Sequence, residues 1–397
     1  MKELSDKIVE IKELTNFANS LILIDERIER CQKHRAETIV IIAIAAVICG
    51  AESWNAIEDF GKSKESLFRD KLPRFEGIPS HDTFSRFFTA LDPAKFENAY
   101  RDWIRDFVGD YTGHIAIDGK TIKGAYESAE EKKCRGTSLK ASDAGKHKLH
   151  VISAFASELG LSLGQLSTEE KENEITVIPL LLDKLCLKDN IVTIDAMGCQ
   201  KKIAENIIEK EGNYILIVKD NHPKLKKRIE SSMKDVVAKE TGSRLDVYQT
   251  EEKGHGRIEK RICYCCKEPL FLGYMGKEWA GLKCFGYIET VRYVIKENKE
   301  STERRYFISS LAPDAKIILE NNRKHWAIEN NLHWQLDVNF HEDYGKKKNT
   351  AAQNFSVLSK IALATLKHSK KKAPINRKRM MAGWDNEYLW ELLLQDL

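Results

Sequence analysis

Three carboxylates stand where divalent cations can be gripped. Asp118 closes the apolar run of IAIDGKTIKGA and Asp195 closes that of IVTIDAMG, each at what reads as a strand end. Two aspartates at the ends of strands in one sheet can converge. Hard ions such as Mg²⁺ and Mn²⁺ prefer oxygen ligands, and two of them about 3.5 to 4 Å apart can clamp an in-line displacement at phosphorus. A third carboxylate must come from elsewhere, and the helical segment NNRKHWAIENNLHWQLDVNFHED supplies Glu329. His325, Glu329 and His333 recur at four-residue intervals and share a face, with Trp326, Asn330, Trp334 and Asp337 beside it. Such aromatic, histidine and amide side chains suit stacking on extruded bases and contacts to phosphates. Lys120 and Lys123, just after Asp118, are candidate phosphate contacts.

Each residue also has a plainer reading. Asp-Gly after a strand is the commonest short hairpin signal, and Asp195 can cap the helix in QKKIAENII. The tryptophans can be core and Glu329 a solvated side chain. His325, Glu329 and His333 can also chelate zinc, although no HExxH supports it. Cys263 and Cys266 form one C-x-x-C without a matching downstream pair, in an alternating strand where burial is the simpler role. GHGRIEKR, residues 254 to 261, is a turn into a basic strand that either touches DNA through His255, Arg257 and Arg261 or forms a plain hairpin.

The elements that must position these residues change character along the chain. Residues 1–110 carry helical periodicity, broken at Gly50, Gly61, Pro73 to Pro79 and Asp92-Pro93, and read as an N-terminal helical accessory domain, a candidate DNA-binding one. Within it Ser80 or Asp82 can cap a helix through Phe84, Phe87 and Phe88; no tight turn marks a helix-turn-helix, and bundle packing is the simpler expectation. From residue 114 three strands come first, then helix and strand alternate: IAIDG, HVISAFAS, LSLGQL, helix EITVIPLLLDKL, IVTID, helix QKKIAENIIEK, YILIVK. That order predicts a mixed α/β sheet, compatible with an RNase H-like core over residues 111–397. A β-rich stretch at about 240–312 reads as an insertion before the chain returns to helix.

Composition narrows the class. With 397 residues and 42% hydrophobic residues, the chain can bury a large core. A formal net charge of +4 does not by itself mark a polyanion binder. Basic residues nevertheless cluster late, at Lys346, Lys347 and Lys348 and from Lys367 through Lys370, Lys371, Lys372, Arg377, Lys378 and Arg379, as a phosphate-contacting surface or a solvated tail. Nine cysteines without framework spacing favour reduced thiols. The N-terminus lacks a secretory core, and Ile39 to Cys49 is too short to span a bilayer, so a cytoplasmic protein without membrane contact is expected.

These strings together resemble the H-repeat-associated group of bacterial insertion-sequence transposases, of the DDE type. The likeness rests on IAIDGKTIKGA, HVISAFASELGLSLGQ, NEITVIPLLLDKL, IVTIDAMGCQKKIAE, GHGRIEKR, RYFISSL and HWAIENNLHWQLDVNFHED, in the same order over most of the chain. The resemblance implies an RNase H-like catalytic core with a β-rich insertion and an N-terminal associated domain. It also implies Mg²⁺- or Mn²⁺-dependent DNA cleavage and strand transfer, with two ions held by Asp118, Asp195 and Glu329 and a homodimer on paired element ends. Broader relatives place tyrosine, arginine and lysine around the final glutamate; here those places hold Asn322, His325 and Leu336. The phosphate-contacting roles of the tyrosine and lysine therefore do not transfer, and Glu342 and Asp343 are fallback third ligands. A derived DNA-binding protein that has lost transposition, and a nuclease that cuts without joining, are the alternatives.

Overall fold

In the computed structural model, which describes residues 33–109, 111–123, 125–126, 149–168, 174–238, 244–344 and 347–394, five helices precede the sheet. They are α1 (Ala36–Ile48), α2 (Trp54–Ser63), α3 (Glu65–Lys71), α4 (His81–Ala90) and α5 (Pro93–Val108). Gly61 is not a break but lies inside α2, where a Cβ would meet Ile78, while the other breaks read from sequence fall at or between helix ends. Ser80, rather than Asp82, caps α4 by accepting from Thr83 N at 3.3 Å. Asp92 caps α5 by accepting from Ala94 N at 2.8 Å, with Pro93 at the first helical position, where its missing N–H is not needed. Residues 1–32 and Lys346 lie outside the described residues.

Then follow β1 (His114–Ile122), β2 (Ala125–Tyr126), β3 (Leu149–Ala156), β4 (Leu161–Thr168), α6 (Glu174–Asp183), β5 (Ile191–Ile194), α7 (Lys201–Glu209), β6 (Asn213–Val218) and α8 (Pro223–Ala238). A four-strand meander comes next, β7 (Leu245–Gly254), β8 (Arg257–Cys266), β9 (Cys284–Val294) and β10 (Lys299–Ser309), with the short α9 (Tyr274–Lys277) between β8 and β9. The chain ends in α10 (Ala315–Lys324), α11 (Trp326–Ile328), a π turn (Glu329–His333), α12 (Trp334–Val338), β11 (Lys347–Lys348), α13 (Asn349–His368), α14 (Ile375–Trp384) and α15 (Asn386–Leu394). β11 pairs with β2 apart from the main sheet.

The main sheet has nine strands in the order β4-β3-β1-β5-β6-β10-β9-β8-β7. Its first five positions are the RNase H-like arrangement: an antiparallel β1–β3–β4 meander, then β5 and β6 added parallel to β1 through helical crossovers. The β-rich stretch does not stand apart. β10 pairs antiparallel with β6, from Tyr306↔Val218 to Ser309↔Ile215, so the meander continues the same sheet. Alternate residues serve opposite faces: Ile215, Cys263, Cys265, Cys284 and Phe307 pack with α10, whereas Tyr214, Leu216, Cys266 and Phe285 join the main core. Cys263 and Cys266 therefore sit in different clusters and cannot share an ion.

That main core also takes in the N-terminal helices. In α1 every residue but Glu37 is buried, as a helix apolar on all sides requires, and α13 packs along it. Part of the late basic run is drawn inward, at Lys347, Lys378 and Arg379, whereas Lys370, Lys372 and Arg377 are exposed. Lys378 donates to Leu366 O at 2.8 Å, and Lys347 donates to Glu52 O at 3.0 Å while lying over the Phe355 ring. Arg379 donates to Ile48 O at 3.3 Å and to Val47 O at 3.0 Å, the latter also accepting from Gly50 N, and stacks on Phe340. Arg379→Ala is expected to lower unfolding free energy by about 2–4 kcal/mol, since it removes a charged donor from two buried carbonyls and strands that of Ile48; a loss under about 1 kcal/mol in urea titration would show that water replaces the guanidinium.

Candidate active site

Strand register brings the two aspartates together. β1 and β5 run parallel with Ile117↔Ile194 as their last paired residues, so Asp118 and Asp195 come next on neighbouring strands, about 5 Å apart in the pairing direction. Asp118 is not at a strand end, as its sequence context suggests. β1 continues to Ile122 against β3, with Asp118 opposite Ser153, and it is β5 that stops. The hairpin reading of Asp-Gly falls with this. Gly119 is needed for close approach instead: a Cβ there would run into the imidazole of His150, itself 2.6 Å from Glu174.

Asp195 does serve as a cap, of a single 3-10 turn (Ala196–Gly198) rather than of α7. Its Oδ1 accepts from Met197 N at 3.0 Å and Gly198 N at 3.4 Å. Asn221 and His222 brace the turn through Ala196 O and Cys199 O, each at 2.6 Å. Capping occupies Oδ1, and no hydrogen bond or ion pair engages Oδ2 among the described residues.

Glu329 opens the π turn. A four-residue step overshoots one turn of an α-helix, which has 3.6 residues, and undershoots the wider π turn with its i→i+5 bonding. One step of each kind from His325 to Glu329 to His333 lets the two drifts offset, so all three face the β1–β5 edge. His325 Nδ1 lies 2.9 Å from Thr193 Oγ1, which lies 2.8 Å from His114 Nε2; His114 Nδ1 is 2.8 Å from Ser157 Oγ. Burial pushes His114 down to about 3 and His325 to about 4, so both rings are neutral and share the hydroxyl as donor and acceptor. His333 Nδ1 stands 3.4 Å from Asp118 Oδ2, and burial pushes this ring down to about 3 as well. Neutral, it can donate to the carboxylate without cancelling its charge.

Asp118 is pushed up to about 7, by burial first and then by the charges of Asp195, Glu329 and Glu174. Glu329, exposed at the mouth, is raised by partial desolvation and lowered by Arg305. No Lys or Arg forms an ion pair with any of the three among the described residues. Nor, among them, are three or more His, Cys, Asp or Glu side chains gathered tightly enough to ligate one ion as they stand. The donor set nonetheless fits a hard divalent cation, because repulsion between carboxylates is what such an ion removes.

The other expected residues separate into two groups. Lys120 is turned inward, 2.7 Å from Asp337 and 2.5 Å from Glu342, which corrects its expected phosphate contact; Glu342 is thereby engaged and withdrawn as a fallback ligand. Lys123 is exposed, with Asp343 at 3.3 Å. His255 sits at the β7–β8 hairpin tip with φ 49°, and Trp334 is exposed. Arg257, Trp326 and Asn330 line a polar cleft of about 460 Å³ between the meander and the glutamate segment. Sequence reading missed most of its arginines, Arg292, Arg305 and Arg323, while Arg261 had been singled out. For Arg292 and Arg305 the signal was strand position, Arg292 lying opposite Glu259 on the face of β8 that also carries Arg257 and Arg261, and Arg305 lying opposite Ile288; Arg323 comes from α10. Arg305 lies over the Trp326 ring at 5.4 Å.

An RNase H-like sheet thus carries two aspartates on adjacent strands, with a glutamate on a following helix. Residues 112–364 match the family described as Transposase DDE domain, and residues 21–104 match its DDE_Tnp_1-associated domain. Over 366 residues the chain is 38% identical to "H repeat-associated putative transposase YhhI" of Escherichia coli K12, covering 91% of this chain and 93% of that one. It is 37% identical over 370 residues to "Putative transposase YncI" of Escherichia coli O157:H7, covering 91% and 90%. Among solved structures, a piggyBac transposase synaptic complex with hairpin DNA aligns at a TM-score of 0.40 and 12% identity, over 96% of this chain and 78% of that one, too loose a likeness to build on. The chain belongs to the DDE transposase family, as an insertion-sequence transposase. No helix among the described residues is long and apolar enough to cross a membrane.

Thr193→Val leaves two buried imidazoles short of a partner and is expected to destabilise by about 2–4 kcal/mol, while Thr193→Ser retains most of the stability. Equal melting temperatures for the two variants would mean that the hydroxyl does not bridge the rings.

Proposed function

We propose that the chain binds the ends of its element and catalyses metal-dependent strand cleavage and strand transfer, with Asp118, Asp195 and Glu329 as the metal-holding residues. The observation that carries this reading is the adjacency of Asp118 and Asp195 on parallel strands, with mutual repulsion that no lysine or arginine ion pair relieves among the described residues. Two divalent ions, Mg²⁺ or Mn²⁺, would supply activation of the attacking oxygen and neutralisation of charge at the leaving oxygen. The residues do the rest. Asp195 presents Oδ2 while its turn fixes Oδ1. His333 orients Asp118, and the His325–Thr193–His114 chain holds the glutamate segment against β5.

DNA is the partner, and the cleft beside Glu329 is its approach. Arg257 and Arg305 offer guanidinium groups to phosphates, Asn330 offers an amide, and Trp326 a face for a base. Lys123, His255 and Trp334 are further exposed contacts to DNA, whereas His325 and His333 act as supports of the carboxylates. The N-terminal helices serve as the accessory domain, and two copies pair on the element ends.

The test is cleavage of duplex DNA carrying the sequence that flanks the coding region. Asp118→Ala, Asp195→Ala and Glu329→Ala should each cut the rate on the order of a hundredfold or more in Mg²⁺, since metal stabilisation of the transition state is worth several kcal/mol. Retained cleavage in all three would sink the mechanism. Binding without cleavage in either metal would favour a derived DNA-binding protein, and cleavage without joined products a nuclease. Arg305→Gln should weaken binding evenly across sequences and make the salt slope shallower by about one; an unchanged slope in filter binding would remove this arginine from the phosphate path.

A further inference from the structure

Lys367, in the last turn of α13, belongs to the basic run that sequence alone reads as a phosphate surface or a solvated tail. Its ammonium instead donates to two backbone carbonyls, Gly160 O at 2.8 Å and Asn331 O at 2.7 Å, and stands 5.1 Å from the centroid of the Phe155 ring. Gly160 lies in the β3–β4 turn at φ +69°, and Asn331 is the middle residue of the π turn that begins at Glu329. No carboxylate pairs with this ammonium among the described residues, and burial pushes it down to about 8. A long flexible side chain with water within reach is thus held on carbonyl oxygens inside the protein, against the usual tendency of lysine to send its charge to solvent.

The π turn needs such support. Its hydrogen bonding is rarer than that of an α-helix and is found mostly as single turns, and the offset of drifts described above fails if the turn relaxes to regular helix. On its N-terminal side the segment is anchored by His325 on Thr193 and by Ser157 Oγ on Lys324 O at 3.3 Å. On its C-terminal side Lys120 holds Asp337. Between these anchors, Lys367 is the side chain that ties the π turn itself to the β3–β4 turn.

We propose that Lys367 is a positioning residue that fixes the π turn and thereby the aim of Glu329, and is not a contact to DNA phosphate. The inference rests on the reading of Glu329 as a metal-holding carboxylate. The two roles predict opposite kinetics. A positioning residue acts on the rate of the bound complex, because misplacing a reacting group by about 1 Å can slow a reaction about a hundredfold. A phosphate contact acts on affinity and its salt dependence.

The experiment compares Lys367→Met, Lys367→Gln and Asp195→Ala in the full chain. It measures single-turnover cleavage in Mg²⁺ at saturating protein and filter binding from about 50 to 200 mM salt, on the same flanking-sequence duplex. Lys367→Met should slow cleavage about 10- to 100-fold with affinity and salt slope unchanged. Lys367→Gln, which keeps a neutral donor, should recover part of that rate. A residue that merely supports folding would lower the melting temperature and the active fraction but leave the rate per bound complex intact, and this outcome overturns the proposal. So does weaker binding with a slope shallower by about one and an unchanged rate. Should Lys367→Met fail to fold, Lys367→Gln decides: full-rate cleavage overturns the proposal, and slowed cleavage with unchanged binding upholds it. If Asp195→Ala cleaves undiminished, the metal reading and this inference fall together. An inactive Asp195→Ala beside a full-rate Lys367→Met removes this inference alone.

Discussion

Holding carboxylates side by side is unfavourable, and the centre of this protein is organised around doing so. β1 and β5 leave their shared ladder at Ile117 and Ile194, and the next residue on each is an aspartate. Burial and the neighbouring charges push Asp118 up to about 7. A lysine placed among them would relieve the repulsion and remove the reason for a cation to bind. The surroundings accordingly offer neutral donors: backbone N–H groups to Asp195 and a neutral imidazole to Asp118.

Cations near the site are held away from it by partners of their own. Lys120, two residues from Asp118, is drawn to Asp337 and Glu342. Lys367, Lys378 and Arg379 sit on carbonyls of turns and helix ends. Such ammonium and guanidinium groups tie distant segments together because a carbonyl accepts a charged donor more strongly than a neutral one. Arg379 reaches across the chain to the end of α1, so the N-terminal helices and the C-terminal ones stabilise each other through one core.

The meander gives the site its second wall. By adding β10 to the edge of β6 it carries an arginine-rich face beyond the RNase H-like strands and sets it across from Trp326 and Asn330. Glutamates interleave with the arginines and hold their guanidinium groups in place, as Glu259 does for Arg257 and Arg292. The cleft is lined by Trp326, Ala327 and Asn330, neighbours of Glu329, which is the most exposed member of the trio.

By itself the sequence determined the succession of elements and the identity of the acidic residues. Apolar runs with period two and amphipathic helices are local patterns, and the runs before Asp118 and Asp195 are the first half of β1 and β5 respectively. A cap at Ser80 or Asp82 was legible for the same reason, as was the break at Asp92-Pro93, since a cap acts within three residues of itself. What only the tertiary structure decided was register and direction. That Asp118 lies within its strand and that the β-rich stretch joins the main sheet both depend on which strands pair. Charge was the least legible. A lysine on a helix has the same local pattern whether it meets solvent, a phosphate or a carbonyl, and only packing sent Lys120 and Lys367 inward. The π turn was hidden too, since four-residue spacing suits an α-helix.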